Sequence, residues 1–301
     1  MKHNRQKNRI RDCWQDRLTL SIDAVLMVLF GLIIAYPLLY IILSSFEGGS
    51  STLSLNIWPK KWSLAGYKAV FEYRWIWIGY ANSIWYTLLG TALGLVVTIC
   101  CAYPLAQADL VGRNGIMALF VFTMYFGGGM IPTYLNMRNL HLLDTTLAMV
   151  LPGAVSVYNM IVMRTYFSTQ IPAELHEAAQ LDGCGETRYL VQVVLPLSKS
   201  ILAVIGLYFA VGIWNSYFDA MMYMSTRSKM PLSIFLRDLL ILNDSADLTG
   251  SMDPAAIVSL QERQNVMKYA LIVVSSAPMF VLYPFVQKYF VKGVMIGSVK
   301  S

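Results

Sequence analysis

Residues 171–200, IPAELHEAAQLDGCGETRYLVQVVLPLSKS, gather polar side chains into one long passage inside a chain otherwise built of apolar blocks. Pro172 suits a first helical position, where its missing N–H does no harm. Glu174 and Glu177 fall in the early turns, where the helix dipole favours acids. The helix is expected to stop at Asp182-Gly183, because glycine suits a left-handed C-terminal cap. A second short helix is expected from about Glu186, and Leu195-Pro196 leads into the next apolar block. Leu175, Ala178, Ala179 and Asp182 are three or four apart, so they lie near one another on the first helix. Small alanines let another protein approach closely. Glu177 can pair with a basic group or cap a helix across an interface, and Gly183 permits a sharp turn. The chemistry offered here is docking rather than bond-making; the plainer alternative is an amphipathic helix at the membrane interface.

Bond-making sets are missing from the rest of the chain. There is no GxxxxGK[ST] phosphate loop, so ATP binding and hydrolysis are not expected of this chain. HExxH, GxSxG and kinase-type sets are missing too. His3, His141 and His176 are scattered, and Cys13, Cys100, Cys101 and Cys184 have no CxxC spacing. No cofactor or metal is expected. Acids near the apolar blocks are sparse, with Asp23 and Asp219 at their ends. A proton- or sodium-coupled carrier needs ionisable groups deep in its spans.

The elements that would position the docking passage are membrane helices. The 301 residues are 56% hydrophobic and 13% charged, about half the charge of a soluble domain. The net charge of +6 is assigned to cytoplasmic and lipid-headgroup-facing segments, not to a nucleic-acid site. An apolar stretch of about 20 residues spans a bilayer. Six segments qualify, at about 21–45, 80–106, 115–135, 146–167, 198–222 and 267–290. Lys2, Arg5, Lys7, Arg9, Arg11 and Arg17 precede the first, which is too long for a signal peptide and is read as an uncleaved span. The division is thus a basic cytoplasmic segment 1–20, a six-helix domain 21–290 with the docking helices at about 171–192, and a cytoplasmic tail 291–301. Both termini are placed in the cytoplasm.

The outer segment 46–79 carries Trp58, Trp62, Trp75 and Trp77, read chiefly as interfacial anchors; its stretch NIWPKKWSLAGYKAVF is expected to include a short helix on the membrane. The long outer loop 223–266, with NDSADLTGSMDP, is either a tether or a surface for an extracytoplasmic partner. Pro37, Pro104, Pro132, Pro152-Gly153, Pro278 and Pro284 interrupt the spans. Gly127-Gly128-Gly129 in FGGGMIP is read first as close helix packing, with a bend or an opened backbone as the alternative.

Residues 177–196, EAAQLDGCGETRYLVQVVLP, resemble the membrane-subunit signature of bacterial ABC importers. That pattern is Glu-Ala-Ala, three residues, Gly, nine residues, Ile, one residue, Leu-Pro. Glu177, Ala178, Ala179, Gly183, Leu195 and Pro196 match it, with Val193 in place of Ile. The flanking IPAELHEAAQLDG, the block FGGGMIPTYL, the segment WNSYFDA and the ending KYFVKGVMIGSVKS are similar to the carbohydrate, maltose-type branch, and within it to oligosaccharide permeases. The resemblance covers the chain after about residue 20. It implies an all-α membrane protein of the type I importer fold, with a cytoplasmic coupling helix between spans four and five.

It also implies a bacterial cytoplasmic-membrane complex. The expected partners are a second homologous permease, two copies of an ABC ATPase that bind ATP and Mg, an extracytoplasmic solute-binding protein, an oligosaccharide and membrane lipid. Pathway candidates are polar or aromatic groups in otherwise apolar spans: Tyr125, Asn159, Tyr208, Trp214, Asn215 and Asp219. Their rings can stack on sugars and their polar groups can bond hydroxyls. A permease for a non-sugar solute, or an ion-coupled carrier, is the competing reading.

Overall fold

The computed structural model describes residues 14–47, 58–59, 61–241, 267–284 and 287. The first 13 residues, the NDSADLTGSMDP stretch and the tail 291–301 lie outside the described residues. The described chain is helical, and its one β-bridge joins Glu47 to Trp62. Helix α1 is Trp14–Ser44, α2 Ala65–Glu72, α3 Arg74–Ala106, α4 Arg113–Tyr125, α5 Met130–Asn139, α6 Thr146–Val150 and α7 Val157–Gln170. Then come α8 Ala173–Leu181, α9 Glu186–Leu197, α10 Lys199–Trp214, α11 Tyr217–Tyr223, α12 Leu232–Ile241 and α13 Met267–Pro284. The short α2 falls inside the outer stretch where a helix was expected.

Three helices, α1, α3 and α13, are long and apolar enough to cross a membrane, and five spans result if each bent pair is one. The six apolar segments therefore do not all become straight helices. The expected span 115–135 breaks after Tyr125, and α4 meets α5 at 107°. The expected span 146–167 splits into α6 and α7 around Pro152-Gly153, since proline removes a helical N–H. The expected span 198–222 divides at Asn215–Ser216 into α10 and α11.

Among the described residues of this chain, the glycine triplet does not pack against a neighbouring helix as expected. A Cβ added at Gly127 or Gly129 would meet nothing within 4 Å, and Gly129 has φ +85°. The triplet makes the bend between α4 and α5, and glycine is needed where φ is positive.

Close packing occurs on α3 instead. This helix of 33 residues is about 50 Å long and packs chiefly on α10 and α7. Its Gly90 and Gly94 form a GxxxG pair that admits the neighbouring helix. An added Cβ would lie 2.5 Å from Ile213 Cδ1 at Gly90 and 2.8 Å from Phe209 at Gly94. Nearer the start of α3, the loop before α12 is fastened by side chains. Asn82 Nδ2 donates to the carbonyls of Ser228 (2.9 Å) and Met230 (3.0 Å), Tyr86 donates to that of Lys229 (2.7 Å), and Ser83 Oγ accepts from Leu232 N (2.9 Å).

The tryptophans of segment 46–79 divide. Trp58, Trp62 and Trp77 are exposed. Trp75 stacks on Phe235 and lies 4.7 Å beneath the Arg227 guanidinium. Helix α1 buries no residue in the isolated chain.

Candidate coupling element

Helix α8 begins at Ala173, with Pro172 as the extended residue before it (φ −61°, ψ 138°), one position later than the sequence suggested. Glu174 occupies its first turn. The helix ends in a doubly bonded turn: Gly183 N donates to Gln180 O (3.0 Å) and Cys184 N to Ala179 O (2.9 Å). This is a Schellman closure, and it demands the left-handed Gly183, at φ +70°. Helix α9 starts at Glu186 as expected, widens into a π turn over Leu190–Val194, and reaches Leu195 and Pro196. It then meets α10 at 84° beside the buried Ser198.

The four residues grouped on one face by spacing do not all face the same way. Ala179 packs against the core cluster of Ala102, Tyr103, Met160, Met163, Tyr189 and Val194. Ala178, Glu177 and Asp182 are exposed, Leu175 is 40% exposed and Leu181 is 90% exposed. An apolar residue that open on a helix end is a feature that the spacing argument missed. The element thus has one side packed on the membrane helices and one side free.

A carboxylate joins its parts. Glu186 Oε2 accepts from the Tyr103 hydroxyl at 2.6 Å, and Oε1 lies 2.8 Å from His176 Nε2. Gln180 Nε2 lies 3.4 Å from the same histidine nitrogen. The hydrogen bond from Tyr103, followed by that from His176, holds the Glu186 carboxyl below the usual carboxylate range. Beside it opens a cleft of about 370 Å³ lined by Gln107, Asp109, Ser168, His176 and Glu177 among others.

The pathway candidates are dispersed. Trp214 is 9% exposed and packs on Tyr80. Trp214 and Asn215 both line a cleft of about 340 Å³ with Ser233, Ser275 and Ser276. The Asn215 amide donates to Val211 O at 2.9 Å. Ser216 Oγ donates to Asp219 Oδ2 at 2.6 Å. Tyr125 is exposed at the end of α4, Tyr208 is exposed on α10, and Asn159 is buried on α7. None of these three, nor Asp219, lines that cleft.

Sequence reasoning also missed Asp144, between α5 and α6. Its Oδ1 accepts from the backbone N–H groups of Ser225 (3.2 Å) and Thr226 (3.0 Å). Its Oδ2 accepts from Thr226 Oγ1 (2.6 Å) and Lys229 Nζ (3.0 Å). The bonds from Thr226 come first among the causes that push this carboxyl well below its ordinary range.

No family model matches the chain. Its relatives are nevertheless close. It is 42% identical over 273 residues to Protein LplC of Bacillus subtilis, covering 90% of this chain and 91% of that protein. It is 37% identical over 277 residues to the polygalacturonan/rhamnogalacturonan transport system permease protein YtcP of the same organism, covering 91% and 96%. A solved bacterial ABC transporter involved in import of the acidic polysaccharide alginate matches with a TM-score of 0.81 and 34% identity, over 93% of this chain and 99% of that one. Full-length likeness, helical architecture and apolar spans agree: the chain belongs to the sugar-transporting family of ABC importer permease subunits, multi-pass membrane proteins with no ATPase site of their own.

Proposed function

We propose that this chain is one of two homologous permeases in an ATP-driven importer, and that α8 with its Gly183 turn docks on a separate ABC ATPase. The observation that carries the reading is the outward exposure of Leu175, Ala178 and Leu181 on an element whose other side is packed. Fully covering a leucine side chain gains roughly 1.5–3 kcal/mol, so these residues favour a partner there. Glu177, on the same exposed helix, supplies a charge for a basic group of that partner. Leu195 and Pro196 lead from the docked pair into the bend before α10.

Two ATPases, each binding ATP and Mg, would close on one another and move both coupling helices. The pathway then switches between inward- and outward-facing states, which requires cargo and ATP to bind the two states unequally. Six spans, with α6 and α7 forming the fourth, place both termini in the cytoplasm. An extracytoplasmic binding protein delivers cargo to the outer loops. The cargo is an oligosaccharide, and Trp214 and Asn215 are the first pathway residues to test, before Tyr125, Asn159, Tyr208 and Asp219. Relatives handling alginate and polygalacturonan support uronate-bearing chains as the first substrates to try.

The test is reconstitution in lipid vesicles with the ATPase, the second permease and the binding protein. ATP hydrolysis should rise with loaded binding protein and labelled oligosaccharide should enter. Uptake by this chain alone, driven by an ion gradient, would overturn the reading.

A further inference from the structure

We infer that Glu186 is a positioning residue that clasps the coupling element to the inner end of α3, so that displacement of α8 reaches the long membrane helix through Tyr103 and His176. The inference rests on the docking role proposed for α8. It goes beyond that role in naming the connection by which docking acts.

The geometry of the clasp is specific. The carboxylate takes one partner from each of two other elements and uses both oxygens. Tyr103, on the last turn of α3, is buried and donates at 2.6 Å. His176, on α8, is ten residues from Glu186 and lies 2.8 Å away. Glu186 itself begins α9. Hydrogen bonds to an ionised group are short and roughly twice as strong as neutral ones. The side chain of Glu186 is 56% exposed, so solvent weakens the charge component, while the bond to the buried tyrosine keeps its direction.

The rest of the attachment is slender. Leu175, Ala178 and Leu181 are exposed, His176 and Glu177 line the cleft, and Ala179 is an apolar α8 residue that packs on the core. The His176 ring stacks on the buried Tyr189 at 5.0 Å, which holds the imidazole toward Glu186. Among the described residues the Tyr189 hydroxyl has no hydrogen-bond partner. It adds packing to the joint, while the polar link from α8 to α3 runs through the Glu186 carboxylate. Alongside, the cleft between α8 and the ends of α3 and α7 leaves space for α8 to move. With its partner helix α9 anchored in the core through Tyr189 and Val194, α8 has its polar connection to α3 through this one carboxylate, and motion of α8 is passed on there.

The experiment compares Glu186→Ala, which leaves no acceptor for Tyr103, and Tyr103→Phe in the complete reconstituted transporter, with the exposed Asn114→Ala, outside the docking helices, as control. Each variant should still co-purify with the ATPase, yet move at least three-fold less sugar per ATP hydrolysed. The double variant should be no worse than the worse single one, because both remove the same bond. Additive losses, or an unchanged ratio of transport to hydrolysis, would overturn the clasp. Hydrogen exchange of the full chain in lipid gives an independent measure. The amides of residues 173–181 should exchange faster in Tyr103→Phe than in the parent, and equal protection would also overturn it. If the parent complex shows no ATP-driven uptake, the docking role fails, while the exchange result still decides whether the clasp holds α8.

Discussion

Gly183 stands at φ +70° with open space around its α-carbon, so a side chain there costs backbone strain and not a clash within the chain. Valine should cost roughly 1–2 kcal/mol in that conformation, and asparagine much less, since it is also found at this position of helix ends. Gly183→Val should therefore lower ATPase co-purification and uptake several-fold, with Gly183→Asn near the parent. Equal losses would show that the partner needs the bare backbone. Asp144 yields a pH prediction. Its folded pKa is depressed, so its contribution is fully present above the unfolded value of about 3.9 and is lost as pH falls toward the folded one. Asp144→Asn should destabilise by about 1–2 kcal/mol at pH 7, and thermal unfolding should show the difference shrinking below pH 4. Gly183 was legible because one residue type answers one backbone demand. Asp144 and Glu186 were not, because their partners lie 82 and 83 residues away in the chain, and no local spacing announces such a bond.

At the scale of elements, two sets of glycines do opposite work. Gly90 sits where α3 meets Ile213 of α10, whereas Gly127 sits in open space at the bend between α4 and α5. Gly90→Val should overpack the contact and cost about 1–3 kcal/mol or more, read as a lower thermal midpoint and a lower folded yield. Gly127→Ala should leave both near the parent. A reversal of this order would mean that α3 and α10 separate easily and that the bend is tightly packed in the assembly. The apolar blocks revealed where helices lie, because burying twenty apolar residues in lipid dominates local preference. They did not reveal where helices break. Pro152-Gly153 and the triplet at 127–129 marked the places, but whether glycine bends a helix or admits a neighbour depends on what lies opposite. The two helices and the Gly183 turn of residues 171–200 were read well because they are local, although the inward face of Ala179 needed the rest of the fold.

Across the whole molecule, α3 connects two separate hydrophobic clusters. One surrounds Tyr103 and Tyr189 near the coupling element. The other gathers Val70, Ile76, Trp214, Leu232 and Leu271 toward the opposite end. The family was legible from a handful of spaced residues, whereas these two clusters were not, since together they assemble residues from seven helices. Gly90 and Gly94 of α3 lie against Ile213 and Phe209 of α10, and Phe209 belongs to the first cluster. Spin labels on exposed Leu181 and Ser228, each measured against one on Thr165, should shift together when ATP binds the assembled transporter. Movement at Leu181 with Ser228 still would sever the two ends. The tight glycine contact then has a mechanical meaning. From its midpoint, Tyr103 lies about 16 Å along the helix one way and Asn82 about 15 Å the other. A rod rocking on that contact would have nearly equal arms, so a push at the Tyr103 end would return at the Asn82 end with the same size and the opposite direction.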